Sequence, residues 1–209
     1  MKEKIVEQLK EKYRPVAIIL HGSRANGMAR EKSDWDFFLL FDSEKTPGNF
    51  REVVDGQNIE VQSVTLPVGD ILDAFGTKLI GAQVLFENEE EGTKSLEDAR
   101  AFYSKGFTAP ESWPDGPNLL MRGKVDGMKD YVDTPALFYK YFSNFYPRAL
   151  DYWYTVLHGE YSKPAYLALP EIQKRDPEYY DLIVQFANPE TSLAEKAKTA
   201  EEIHQKLFG

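Results

Sequence analysis

Val16-Ala17-Ile18-Ile19-Leu20-His21-Gly22-Ser23-Arg24-Ala25-Asn26-Gly27 and, a few residues on, Ser33-Asp34-Trp35-Asp36-Phe37-Phe38-Leu39-Leu40-Phe41 are the stretches that decide the fold. Val16 to Leu20 is a short apolar run with β-branched residues, which predicts a buried strand. The small residues after His21 predict a tight loop or the start of a helix, with Gly27 allowing a second sharp turn. Asp34 to Phe41 predicts another apolar strand. Residues two apart on a strand share a face, so Asp34 and Asp36 project together. Two adjacent like charges need compensation, and a divalent cation is the usual source. A glycine and a serine directly after a buried strand suit close approach to a phosphate, and Arg24 can add a charge-assisted contact. Each feature also has a plainer reading: an exposed strand end, an ordinary turn and a solvated arginine.

Outward from this centre, Ile5 and Leu9 mark one face of a charged N-terminal helix that Pro15 stops. Pro47-Gly48 is a turn, and Asn49–Val54 and Asn58–Thr65 predict a hairpin joined through Asp55-Gly56. Glu60 sits between Ile59 and Val61 in the second of these strands, where a carboxylate is costly unless paired or metal-bound. Gln62 on the same face leaves a solvent-facing edge open as the alternative. Pro67 and Gly69 close this run, Val84–Phe86 predicts one more strand, and Ser95–Tyr103 predicts a helix.

The Pro/Gly-rich stretch from Phe107 to Pro117 predicts a boundary, giving domains over 1–108 and 109–209. Beyond it only helices are expected: Leu119–Tyr131, Pro135–His158 with a kink or break at Pro147, Glu178–Ala187, and Ser192–Phe208 with a Ser192/Glu195 capping box. The fold class is therefore α+β, a mixed sheet with flanking helices followed by an all-helical bundle. The aromatics of the second half, Phe138, Tyr139, Tyr141, Phe142, Phe145, Tyr146, Tyr152, Trp153 and Tyr154, read as core, with a stacking wall for a ligand as the sharper option.

The chain has 209 residues, no cysteine and a formal net charge of -9. That excludes disulfides, thiolate metal sites and a cysteine nucleophile. The acidic balance argues against a long nucleic acid as partner. The charged N-terminus and the lack of any long apolar run give neither a leader nor a membrane span, so a cytoplasmic protein is expected.

Taken together, Leu20-His21-Gly22-Ser23-Arg24, Ser33-Asp34-Trp35-Asp36-Phe37 and Ile59-Glu60-Val61 resemble the nucleotidyltransferase superfamily of the DNA polymerase beta type. The resemblance covers roughly the first half and points to small bacterial members with a helical second domain, such as aminoglycoside nucleotidyltransferases. It implies transfer of a nucleotidyl group from a nucleoside triphosphate to a hydroxyl acceptor, with two Mg²⁺ ions, or Mn²⁺ in their place. It implies Asp34, Asp36 and Glu60 as catalytic metal ligands, Glu60 alternatively as general base, and Gly22, Ser23, Arg24 and Ser33 on the nucleotide. A base from the helical half is implied too, with Asp126, Asp130, Asp151 and Glu160 as candidates, while Lys140 and Lys163 could reach a triphosphate. The acceptor stays open between a small molecule and a protein side chain, and a second copy of the chain or a toxin is a compatible partner. Two competing readings remain: a non-catalytic nucleotide-binding or antitoxin-like regulator, and an Asp-x-Asp sugar-nucleotide glycosyltransferase.

Overall fold

Ile5, Val6 and Leu9 recur at helical spacing and are buried along α1, Lys2–Tyr13. Arg14 ends this helix in the left-handed conformation with its N–H on the Lys10 carbonyl, and the chain turns into β1, Ala17–His21. A single helical turn, α2 (Gly22–Ala25), leads to β2, Trp35–Phe41. Then come β3 (Phe50–Val54), β4 (Gln57–Thr65), a 3₁₀ turn at Gly76–Leu79, β5 (Gln83–Glu87) and a helix over Glu91–Ser104. The computed structural model describes residues 1–43, 46–68, 72, 76–109 and 116–209. Gly69 and residues 110–115 of the expected boundary stretch lie outside them. The chain divides into two compact units, Met1–Lys105 and Gly106–Gly209.

In the first unit the strands form one mixed sheet in the order β3-β4-β2-β1-β5. β2 runs parallel to β4, and the other neighbours pair antiparallel. Asp55 and Gly56 both have positive φ, at 49° and 76°, the condition for a two-residue hairpin whose twist matches its strands. The sheet is apolar on both faces because strand residues alternate. Ile18, Leu20, Phe37 and Leu39 pack with Ile5 and Leu9 of α1. Ala17, Ile19, Phe38 and Leu40 pack with Leu96 and Ala99 of the Glu91–Ser104 helix.

The second unit is helical: Gly116–Asp130, Pro135–Tyr152, Ala165–Arg175, Pro177–Ala187 and Leu193–Phe208. Phe138, Phe145, Trp153, Tyr154 and Tyr179 are fully buried in its core, so the aromatics serve chiefly as packing, with Tyr139 the exposed exception. The helix is not broken at Pro147. The α-helix continues to Tyr152, and only from Trp153 to His158 does it relax into π-helical hydrogen bonding. Phe142 stacks on Phe186 with ring centres 4.5 Å apart, Phe145 packs tilted against the same ring at 5.2 Å, and Ala149 and Leu150 are buried beyond the proline. Packing on both sides thus outweighs the one backbone bond that Pro147 cannot make. The helix Ala165–Arg175 was not expected, since Pro164 and Pro170 bracket its first turns. Among the described residues no helix is long and apolar enough to cross a membrane.

Ser192 and Glu195 form the expected capping box. Four residues past Ser192, Lys196 is 1% exposed. It donates to the Phe186 carbonyl at 2.7 Å and to the Asn188 carbonyl, and lies over the Phe142 ring. It thereby caps the C-terminal end of Pro177–Ala187, where carbonyls lack helical partners and a cation is favoured. Lys196→Met keeps the stem and removes the donors. We expect it to destabilise this unit by about 1–3 kcal/mol, seen as a lower denaturant midpoint. An unchanged midpoint would show that water replaces the ammonium at no cost.

Candidate active site

The pairing registers place four polar residues in one row across the first unit's sheet. His21 of β1 is opposite Asp36 of β2, Asp36 is beside Glu60 of β4, and Glu60 is opposite Arg51 of β3. Residues directly paired across strands point to the same face. Phe38 and Leu40, further along β2 with the parity of Asp36, pack toward the Glu91–Ser104 helix. The row therefore lies on that helix's side, at the start of β2. Asp34 stands just before the strand.

Gly22 makes room for Asp36. Its φ is +72°, a conformation that side-chain-bearing residues rarely adopt, and a Cβ built there would lie 2.3 Å from Asp36 Oδ2. The carboxylate thus rests against bare backbone. Burial, then the neighbouring charges of Glu60 and Asp34, push the Asp36 carboxyl above the ordinary aspartate range, with Lys78 and Arg51 opposing. Glu60 moves the other way. Arg51 donates to its Oε2 from Nε at 2.8 Å and from Nη2, and this hydrogen bonding holds the Glu60 carboxyl below its usual range. His21 is 5% exposed and stacks on Phe38 with ring centres 4.3 Å apart. Burial, aided by Lys78, pulls its imidazole down to about 4, so it is neutral at physiological pH.

Arg24, expected on a phosphate, is turned inward. Its Nε donates to the Ser33 carbonyl at 3.0 Å and the Asp34 carbonyl at 3.2 Å, and its Nη2 reaches the Ser33 carbonyl at 2.6 Å. The guanidinium also sits 4.4 Å from the Trp35 ring centre. It fixes the turn that delivers Asp34 and Asp36. The Ser33 hydroxyl accepts from the Arg30 N–H at 2.9 Å, holding the same turn. Ser23 follows Gly22 at the start of α2.

Three neighbouring carboxylates suit a hard cation such as Mg²⁺, which binds one or two carboxylates and leaves positions for phosphate oxygens. Asp34 and Asp36 fit that description, since like charge and burial disfavour an ionised Asp36 without a counter-charge. Glu60 fits only in part. Among the described residues no group of three histidine, aspartate or glutamate side chains is disposed as a ready metal site, and Glu60 is bonded to Arg51 instead. The structure brings Glu60 next to Asp36 but gives it a different partner.

Sequence reasoning missed Arg51, His21 and Lys78. Arg51 was legible, because a two-residue turn at Asp55-Gly56 forces residue 51 opposite residue 60. His21 carries no metal spacing, and nothing in the sequence brings Lys78 near the row.

In the helical unit, Glu160 is held by Arg175 through two bonds of 2.9 Å, Lys163 pairs with Glu171, and Asp126 faces Arg122 at 3.8 Å. Asp130 is exposed. Burial raises the carboxyl of Asp151, another of the four acids named from sequence, above the ordinary aspartate range.

Residues 3–67 match the family model for the polymerase beta nucleotidyltransferase domain. The first unit thus carries a nucleotidyltransferase domain of this superfamily, and a helical region follows it. Among solved structures, a nucleotidyltransferase-like protein from Exiguobacterium sibiricum is similar at 13% identity and a TM-score of 0.47, covering 99% of this chain and 74% of that one. That likeness is too low to carry an argument. A comparison with curated proteins found no match.

Proposed function

We propose that the first unit binds a magnesium-complexed nucleoside triphosphate and transfers its nucleotidyl group to a hydroxyl-bearing acceptor, a small molecule such as an aminoglycoside or a protein side chain, with release of pyrophosphate. The observation that carries this reading is the seat of Asp36 against the bare backbone of Gly22, beside Asp34 and Glu60, within a segment that matches the family model. When bound, the divalent ion supplies charge neutralisation for the triphosphate and lowers the pKa of the acceptor hydroxyl.

The chain's own groups then have separable tasks. Asp34 and Asp36 supply the carboxylate oxygens that hold the ion. Gly22 with its bare backbone, and Ser23 with its hydroxyl next to it, would face the phosphates. Arg24 and Ser33 keep the turn before Asp34 in place, as positioning residues. Glu60, held below its usual range by Arg51, is a weak proton acceptor. Its task is therefore ligation or orientation rather than general base. Catalysis of this kind is mostly positioning and electrostatics.

A thermal-shift series tests the reading. A ligand at ~100 times its Kd stabilises by about 2.7 kcal/mol. At least one nucleoside triphosphate is expected to raise the melting temperature with Mg²⁺ present and to lose that effect in EDTA. Four triphosphates without a Mg²⁺-dependent shift would overturn the proposal.

A further inference from the structure

Among the described residues, the buried side-chain polar atoms lacking a hydrogen-bond partner belong, apart from the Tyr154 hydroxyl, to His21, Asn26, Trp35 and Gln62. All four lie in the segments that build the carboxylate row. Asn26 stands out because both its Oδ1 and Nδ2 are buried and unpaired. An amide hidden from water without a partner is costly, and native proteins rarely leave one unless a ligand or water completes it. Asn26 directly follows α2, the turn that begins with Gly22-Ser23. Its Nδ2 lies under Gly81, 3.9 Å from where a Cβ on that glycine would stand. Gln83 ties the same loop to α2 through the Ala25 carbonyl.

The same loop brings a cation. Lys78 is exposed and has no ion pair among the described residues. Its neighbour Leu79 is buried against Ile19 and Phe38, the latter the ring on which His21 stacks. Its charge is felt by His21, Asp36 and Glu60. Arg51, the other cation at the row, is already bound to Glu60.

We propose that Lys78 and Asn26 form a subsite for the terminal phosphates of the nucleoside triphosphate, Lys78 supplying charge and the Asn26 carboxamide a buried hydrogen-bond donor. The inference rests on the proposed function and adds two residues to it that neither the motif nor the family match names. In the transfer, the acceptor hydroxyl gives up its proton to solvent and its oxygen bonds to the α-phosphorus as the bond to the bridging oxygen breaks. The departing pyrophosphate, which takes that electron pair, is the group these two residues hold.

The test is calorimetric titration of nucleoside triphosphates and of inorganic pyrophosphate, with Mg²⁺, into wild type, Lys78→Met, Lys78→Arg, Asn26→Ala and Asn26→Asp. Lys78→Met and Asn26→Ala are expected to weaken both ligands roughly tenfold or more, the loss of one hydrogen bond to a charged group. Lys78→Arg should recover most of the affinity. Asn26→Asp, of the same shape, should weaken binding beyond Asn26→Ala, because it sets a negative charge against a phosphate. Wild-type binding unchanged by Lys78→Met and by both Asn26 variants would overturn the subsite while leaving the proposed function standing. Failure of the wild type to bind any of these ligands would overturn both.

Discussion

Gly22→Ala is expected to destabilise the first unit by about 1–3 kcal/mol and to abolish Mg²⁺-dependent nucleotide binding at the same time. The stability loss has two sources. The positive φ of Gly22 strains any L side chain. The new methyl would also stand 2.3 Å from Asp36 Oδ2, so the carboxylate must leave its seat. Asp36 is the second residue of a strand hydrogen-bonded on both sides, so its backbone cannot shift to compensate and the side chain must rotate. Chemical denaturation reads the first effect and calorimetry with Mg²⁺ and nucleotide the second. A variant that loses stability but binds normally would show that Asp36 does not work from this position.

Asp36→Asn is expected to separate function from stability in the opposite way. The substitution keeps the volume and removes the charge. Because the folded state raises the Asp36 carboxyl above its ordinary value, folded protein holds its proton to higher pH than unfolded protein does. Stability from this group is therefore present at low pH and is lost as pH rises from about 3.9 through the raised value. At neutral pH the wild type carries that penalty and the variant does not. The metal-free variant should melt no lower than wild type, while its Mg²⁺-dependent affinity for nucleotide falls by roughly 100-fold or more. A clear drop in melting temperature would instead mean that the Asp36 charge supports the fold, through a partner such as Lys78.

Much of this architecture was legible because local rules and tertiary structure agree. The Asp55-Gly56 turn fixes the hairpin, alternation fixes the faces of β1 and β2, and Ser192 with Glu195 starts the last helix. Asp34, Asp36 and Gly22 could be singled out because a charged pair and a glycine in an otherwise apolar stretch contradict the local pattern. What stayed hidden is of two kinds. Pro147 and Pro170 break helices as local signals, yet both lie inside helices held by packing that sequence does not display. The competition among partners was equally hidden. Arg24 spends its guanidinium on carbonyls, and Glu60 spends an oxygen on Arg51. Nothing in residue type tells a solvent-facing arginine from one that folds back on its own turn.

The central claim is that Asp34 and Asp36 create a metal-dependent nucleotide site. Calorimetric titration of each of the four nucleoside triphosphates, with and without Mg²⁺, into wild type and the Asp34→Asn/Asp36→Asn double variant tests it most directly, and needs no knowledge of the acceptor. The account predicts binding of at least one triphosphate by the wild type that requires Mg²⁺ and vanishes in a folded double variant. Binding indifferent to the metal and to both aspartates, or no binding at all, would contradict it.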